Sequence, residues 1–130
     1  MRRTRPAPIL LASVLVLTTA SCSPSGSDPG RIAPEEIRGV WVCDNPTYAG
    51  RDLEILENAL LFHLGDGNFD PYIIRNIVVE QKPDGTAYEI EHSGRESGSL
   101  TLSLLLRSAD GTIVFENQPL MVWRKNPPGS

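Results

Sequence analysis

The chain has 130 residues, of which 40% are hydrophobic and 22% charged, enough for one small folded domain and too short for two of ordinary size. Its 12 Lys and Arg stand against 16 Asp and Glu, and three of those cations, Arg2, Arg3 and Arg5, lie within the first five residues. Without these three, 9 basic residues face 16 acidic ones, a net charge of −7, which disfavours nucleic acid as a partner and gives a domain surface with no electrostatic attraction to anionic lipid.

The amino-terminal residues have the pattern of an export signal. The arginines form a positive region, an apolar run follows from Ile9 to Leu17, and small residues stand at Ala20 and Ser21. The run is far shorter than the roughly 18 to 20 residues a membrane-spanning helix needs, and Pro6 and Pro8 sit at its entry. Ala20, Ser21 and Cys22 resemble the lipobox of bacterial lipoproteins, with Thr19 where that family usually has leucine. The resemblance implies that residues 1–21 are a lipoprotein signal peptide and that Cys22 becomes the lipid-bearing first residue of the mature chain. Cleavage by an ordinary signal peptidase, releasing a soluble protein from Ser21, is the alternative. The same resemblance implies the outer membrane, periplasmic face, as destination, because Ser23 replaces the aspartate that retains many such lipoproteins in the inner membrane.

Residues 22–34 contain the Ser-Pro-Ser-Gly-Ser-Asp-Pro-Gly stretch and end on Pro34. This is tether composition, with a root-mean-square span of about 20 Å for about 12 residues. Residues 35–125 are expected to form the domain and 126–130, which include Pro127 and Pro128, a disordered tail. With Cys22 taken by lipid, only Cys43 is left. No intramolecular disulfide is available, and a lone thiol in an oxidising compartment is expected to be buried.

The domain is expected to be all-β. Three Asp-Gly pairs, Asp66-Gly67, Asp84-Gly85 and Asp110-Gly111, separate β-prone runs in the way hairpin turns do. In chain order the expected strands run near Gly39 to Cys43, Leu53 to Leu56, Ala59 to Leu64, Tyr72 to Glu80, Thr86 to His92, Leu100 to Arg107, Thr112 to Glu116 and Leu120 to Lys125, about eight in all. Leu100, Leu102, Leu104 and Leu106 share one face opposite Thr101, Ser103 and Arg107, with Leu105 as the exception. Tyr88 and Ile90 alternate with Glu89 and Glu91. Residues 52–64 also admit a short helix, since Leu53, Leu56, Leu60, Leu61 and Leu64 fall near helical spacing; Asn58 as a turn residue favours two strands. Consecutive hairpins sharing one apolar face close into a small antiparallel up-and-down barrel or a strongly curled sheet, which removes free edges.

Gly39-Val40-Trp41 and Trp123-Arg124 resemble the opening and closing segments of the lipocalin-like group of small barrels. The resemblance implies that Trp41, in the Gly39-Val40-Trp41 segment that opens the barrel, plugs one end, and that Arg124 packs across the indole as a cation over a ring; Gly39, Trp41 and Arg124 are the structural candidates. The domain is much shorter than a typical lipocalin and lacks a counterpart of that group's middle motif, and ligand binding does not transfer with the fold.

Catalytic signals are sparse. His63 lies in an apolar strand and His92 at a strand end beside Glu91, neither with a nucleophile or a third ligand at a recognised spacing. Glu89 and Glu91 share a strand face, which a solvated surface explains. Asp66-Gly67-Asn68-Phe69-Asp70 starts like a calcium loop, but Pro71 replaces the turn glycine and Ile77 the closing glutamate, leaving a hairpin turn. The expectation is therefore no metal, no cofactor and no enzymatic activity. The favoured function is a membrane-anchored envelope protein whose non-enzymatic β-domain binds a protein partner or supports an envelope assembly. The alternatives are an apolar small molecule held inside the barrel, opposed by the expectation that close-packed side chains leave no cavity near 300 Å³, and inhibition of a cell-wall hydrolase. Against the inhibitor stands the segment Ser93-Gly94-Arg95-Glu96-Ser97, which departs from the Ser-Gly-x-x-Tyr of those inhibitors.

Overall fold

The computed structural model of the protein describes Thr4 and residues 29–127. Apart from Thr4, the expected signal peptide lies outside the described residues, as do Cys22, the start of the tether and residues 128–130.

Eight strands, β1 (Gly39–Cys43), β2 (Leu53–Ile55), β3 (Ala59–Gly65), β4 (Asn68–Lys82), β5 (Gly85–Ser93), β6 (Ser99–Arg107), β7 (Ile113–Phe115) and β8 (Gln118–Lys125), follow one another around a closed barrel. Each pairs antiparallel with the next, and β8 closes the ring on β1. None of these eight strands has a free edge, as closure of an up-and-down series of short hairpins requires.

Side-chain alternation explains the closure. On β5, Tyr88, Ile90 and His92 are buried between exposed Glu89 and Glu91. Leu53 and Ile55 are buried on either side of Glu54 and pair with Phe62 and Leu60. That period of two excludes the helical alternative for 52–64, and Asn58 sits in the turn as expected. The leucine face of β6 is graded: Leu104 is buried, Leu102 and Leu106 partly so, while Leu100 is 46% exposed where the strand reaches the barrel's end.

Two elements differ from their expected extents. β4 begins at Asn68, four residues before the expected Tyr72, because the turn at Asp66-Gly67, with φ of 55° and 76°, carries 68–71 straight into the ladder with β3. Pro71 is tolerated there, opposite Leu61. A bulge between Ile74 and Asn76 then shifts the phase of β4, so that Tyr72 and Ile74 face inward before it and Ile77 after it. The domain also starts before residue 35. Ala33 is fully buried and its amide donates to the Glu57 carbonyl at 2.7 Å, so the tail end of the expected tether belongs to the fold. At the other terminus the Asn126 amide donates to the Val40 carbonyl at 2.7 Å, which brings the first residue of the expected tail into the structure.

The core runs from Ala33 and Ile37 through Trp41, Leu53, Ile55, Leu60, Ile74, Tyr88, Ile90 and Leu104 to Ile113, Phe115 and Trp123. One end of the barrel is sealed by the segment before β1. Its 3-10 turn Glu35–Ile37 buries Ile37 completely. The Trp41 indole, 1% exposed, donates from Nε1 to the Ile37 carbonyl at 2.8 Å, and the Tyr88 hydroxyl donates to Glu36 Oε1 at 2.9 Å. Trp41 thus lies buried at this end of the barrel, tied to the segment before β1. Gly39, at the start of β1, has φ of 123°, a conformation that an L side chain resists even though only the flexible stem of Lys125 lies nearby.

The cation over Trp41 is Lys125 and not Arg124. Register explains the exchange: Lys125 stands opposite Trp41 on the inner side of the β1–β8 ladder, whereas Arg124 stands opposite Val42 and faces out. Lys125 Nζ lies 5.1 Å from the indole centroid and donates to the Glu36 carbonyl at 3.0 Å. Arg124 forms a two-pronged ion pair with exposed Asp44, with Nε 2.9 Å from Oδ2. The guanidinium bond holds the Asp44 carboxyl below its ordinary range.

Candidate functional site: the open end and an outer groove

The end of the barrel opposite Trp41 is formed by the last residues of β1, β3, β5 and β7 and the first of β2, β4, β6 and β8. It is not filled. A pocket of about 280 Å³ opens there between Leu53, Phe62, Leu102, Phe115 and Trp123, with Arg51, Asp52, His63 and Gln118 at its rim. A volume near the lower end of ordinary ligand sites corrects the expectation that close packing leaves no such cavity. Two features account for it. β6 starts at this end with exposed Leu100 as its second residue, and the cover over this end is a 3-10 turn, Pro46–Tyr48, not a second plug.

That turn is set locally by Asn45, whose Oδ1 accepts from the Thr47 amide at 3.0 Å, and by Pro46 in the first position. It projects Tyr48 onto the barrel end. The Tyr48 ring meets Trp123 edge-on, with centroids 5.4 Å apart, and its hydroxyl accepts from Gln118 Nε2 at 2.7 Å. Phe115 lies on the other side of Trp123, with centroids 5.3 Å apart. Trp123 is 4% exposed, and its indole nitrogen has no hydrogen-bond partner. Trp41, equally buried, has one.

The remaining inward aromatics at this end form a second group. Tyr72 packs edge-on against both Phe62 and His92, with centroids 5.5 and 5.1 Å apart. His92 is buried, and its Nδ1 is 3.0 Å from the Ile90 carbonyl. His63 is half-exposed at the rim, with Nε2 3.1 Å from Glu54 Oε2 across the β2–β3 ladder. A histidine–carboxylate pair thus borders the pocket. Its carboxylate orients the imidazole, as in acid–base machinery, but Cys43 lies on the inward face opposite Trp123 and is not among the bonding partners of His63. Cys43 is half-buried, less sheltered than expected, because it ends β1 at the open end. Glu89 and Glu91 both face solvent, and Glu91 Oε1 accepts from Ser99 Oγ at 2.8 Å.

The outer wall carries a second depression, about 490 Å³, across β4 to β7. Its floor is Val78, Ala87, Leu105 and Val114, and the last three stand in direct register across β5, β6 and β7. Ala87 is the small residue that keeps the floor low. Glu80, Asp84, Glu89 and Glu116 border the groove, with one lysine, Lys82, whose Nζ is 3.1 Å from Glu80. Leu105, the exception to the β6 alternation, is the sequence signal that points to this face. The open end had no such signal, since the turn over it rests on Asn45 and Pro46, and Trp123 drew attention only as the neighbour of Arg124. Gly39 and Trp41 lie at the sealed end and Arg124 on the outer wall, so none of them meets either depression; Cys22 is outside the described residues.

Among the described residues, no group of three or more His, Cys, Asp or Glu is placed to hold a metal ion. No family model, curated protein or solved structure matches the chain.

Proposed function

We propose that this is a lipid-anchored protein of the cell envelope whose barrel is a non-enzymatic docking module for a protein partner, with the outer groove as the docking face. The anchor rests on the export signal and on Ala20, Ser21 and Cys22, and Ser23 favours the outer membrane, periplasmic side. The observation that carries the docking reading is the groove itself: an apolar floor, Ala87–Leu105–Val114, bordered by four carboxylates and one lysine already paired with a carboxylate. Apolar side chains set out on a barrel's solvent face gain nothing for the core. With that charge border they suit a segment bearing apolar residues flanked by lysine or arginine.

A photo-crosslinking residue in place of Leu105 in the lipidated protein, in its own envelope, is expected to give a discrete adduct. The same residue in place of outward-facing Thr101 gives none, and Ala87→Arg, which raises the floor and adds a positive charge, abolishes the Leu105 adduct. Cys22→Ala is expected to remove lipid labelling and release the domain from membranes. Equal adducts from positions 101 and 105, or an adduct that survives Ala87→Arg, count against the groove; retention of the Cys22→Ala form with unchanged lipid incorporation counts against the anchor. A turnover lost on His63→Ala, found by screening hydrolase and transferase substrates, counts against the non-enzymatic reading.

A further inference from the structure

The two tryptophans of the barrel sit in matching burial and in opposite polar circumstances. At the sealed end the Trp41 N–H meets the Ile37 carbonyl. At the open end the Trp123 N–H, out of contact with solvent, meets no acceptor. A buried donor left unpaired is costly, and native proteins keep few of them without a reason such as a ligand or an ordered water.

The surroundings narrow what fits. The pocket beside Trp123 is almost entirely apolar within, and Phe62, Leu102 and Phe115 supply flat or aliphatic walls. Charge is confined to the rim, where Arg51 and Asp52 stand, so nothing inside compensates an ion. A volume of about 280 Å³ admits one or two fused rings and excludes a long lipid chain. Since Nε1 is sealed, an acceptor reaches it only if a neighbouring ring yields. Tyr48 is suited to yield: it is half-buried, stands on a three-residue turn and is held by the Gln118 amide.

We propose that the open end of the barrel binds a small, uncharged, planar molecule carrying a carbonyl-type acceptor, with its rings between Phe62, Phe115 and Trp123 and its acceptor on the Trp123 indole N–H. This is independent of the outer groove, which lies on the other side of the barrel wall.

Coumarin and naphthalene serve as probes, since they share a fused-ring shape and only coumarin has a carbonyl. All strands and core residues among the described residues lie between Ala33 and Lys125, so residues 22–130 with Cys22→Ala keep the barrel's eight strands. In two-dimensional ¹⁵N spectra the protein gives two indole N–H signals. Coumarin is expected to move the Trp123 signal downfield in a saturable way and to leave that of Trp41 in place. Naphthalene should bind several-fold more weakly, without the downfield shift. Trp123→Phe, which keeps a ring and removes the donor, should lower coumarin affinity to the naphthalene level, and Tyr48→Ala should raise it. Ala87→Arg, which fills the outer groove, should change none of this. The proposal is overturned by the absence of a saturable Trp123 shift, by equal binding of the two probes, or by a Trp123→Phe protein that still prefers coumarin. If Trp123→Phe does not fold, the spectra of the unsubstituted domain decide.

Discussion

Trp41 ties together three parts of the barrel's sealed end. Its indole fills the sealed end, ties by its N–H to the segment before β1 and carries Lys125 on its face. Replacing it with alanine removes the ring, orphans the Ile37 carbonyl and leaves Lys125 without its platform. The expected cost of Trp41→Ala is about 3 to 5 kcal/mol, a large share of the roughly 5 to 15 kcal/mol that stabilises a domain of this size. Urea titration followed by circular dichroism measures it; a midpoint equal to that of the unsubstituted domain contradicts the plug role. At this scale the sequence was legible for Trp41 and misleading for its partner. Arg124 and Lys125 are adjacent cations, and which of them meets the indole depends on register across β1 and β8. No local pattern reports that.

The strands were legible because binary alternation repeats on nearly every one of them and the Asp-Gly pairs mark the turns. Legibility failed where an element does not depend on alternation. Ala33 joins the core from the expected tether and Ile37 from the first residues after it, ahead of the first strand, because a 3-10 turn needs only one or two apolar residues to seal a barrel end. The start of β4 was hidden by Asp70 and Pro71, which look like loop residues until a hairpin turn pairs them with β3. Turn glycines look alike in sequence and differ in structure. Gly85 opens β5 where the β6 backbone presses closest: a Cβ there would lie 2.0 Å from the Leu106 carbonyl oxygen. Gly111, in the next Asp-Gly turn, has open space around the same position. Gly85→Ala is therefore expected to lower stability by at least about 1 to 3 kcal/mol, the range for overpacking, through displacement of the β5–β6 ladder. Thermal unfolding of the variant measures the loss, and an unchanged melting temperature contradicts the close approach.

For the molecule as a whole, the closure of the sealed end has a pH signature. Burial above all, then the hydrogen bond to Glu36 and its negative charge, holds the Tyr88 phenol above its ordinary pKa of 10.0. Below about pH 10 both folded and unfolded chains keep this proton, and the contribution of Tyr88 is fully present. As pH rises further, the unfolded chain releases the proton while the fold retains it, so stability falls toward the folded-state value. The urea midpoint is expected to be insensitive to Tyr88 between pH 7 and 9 and to fall above pH 10, with a shallower fall in Tyr88→Phe. Parallel alkaline profiles for the two proteins contradict the assignment.

The sealed end is also where the chain enters the barrel, since Ala33 is bonded there to Glu57 in the β2–β3 turn. In the proposed lipid-anchored form the tether would therefore join the barrel on the side of its closed end, opposite the rim with Tyr48 and Trp123. A molecule entering the pocket would not have to pass the point of attachment.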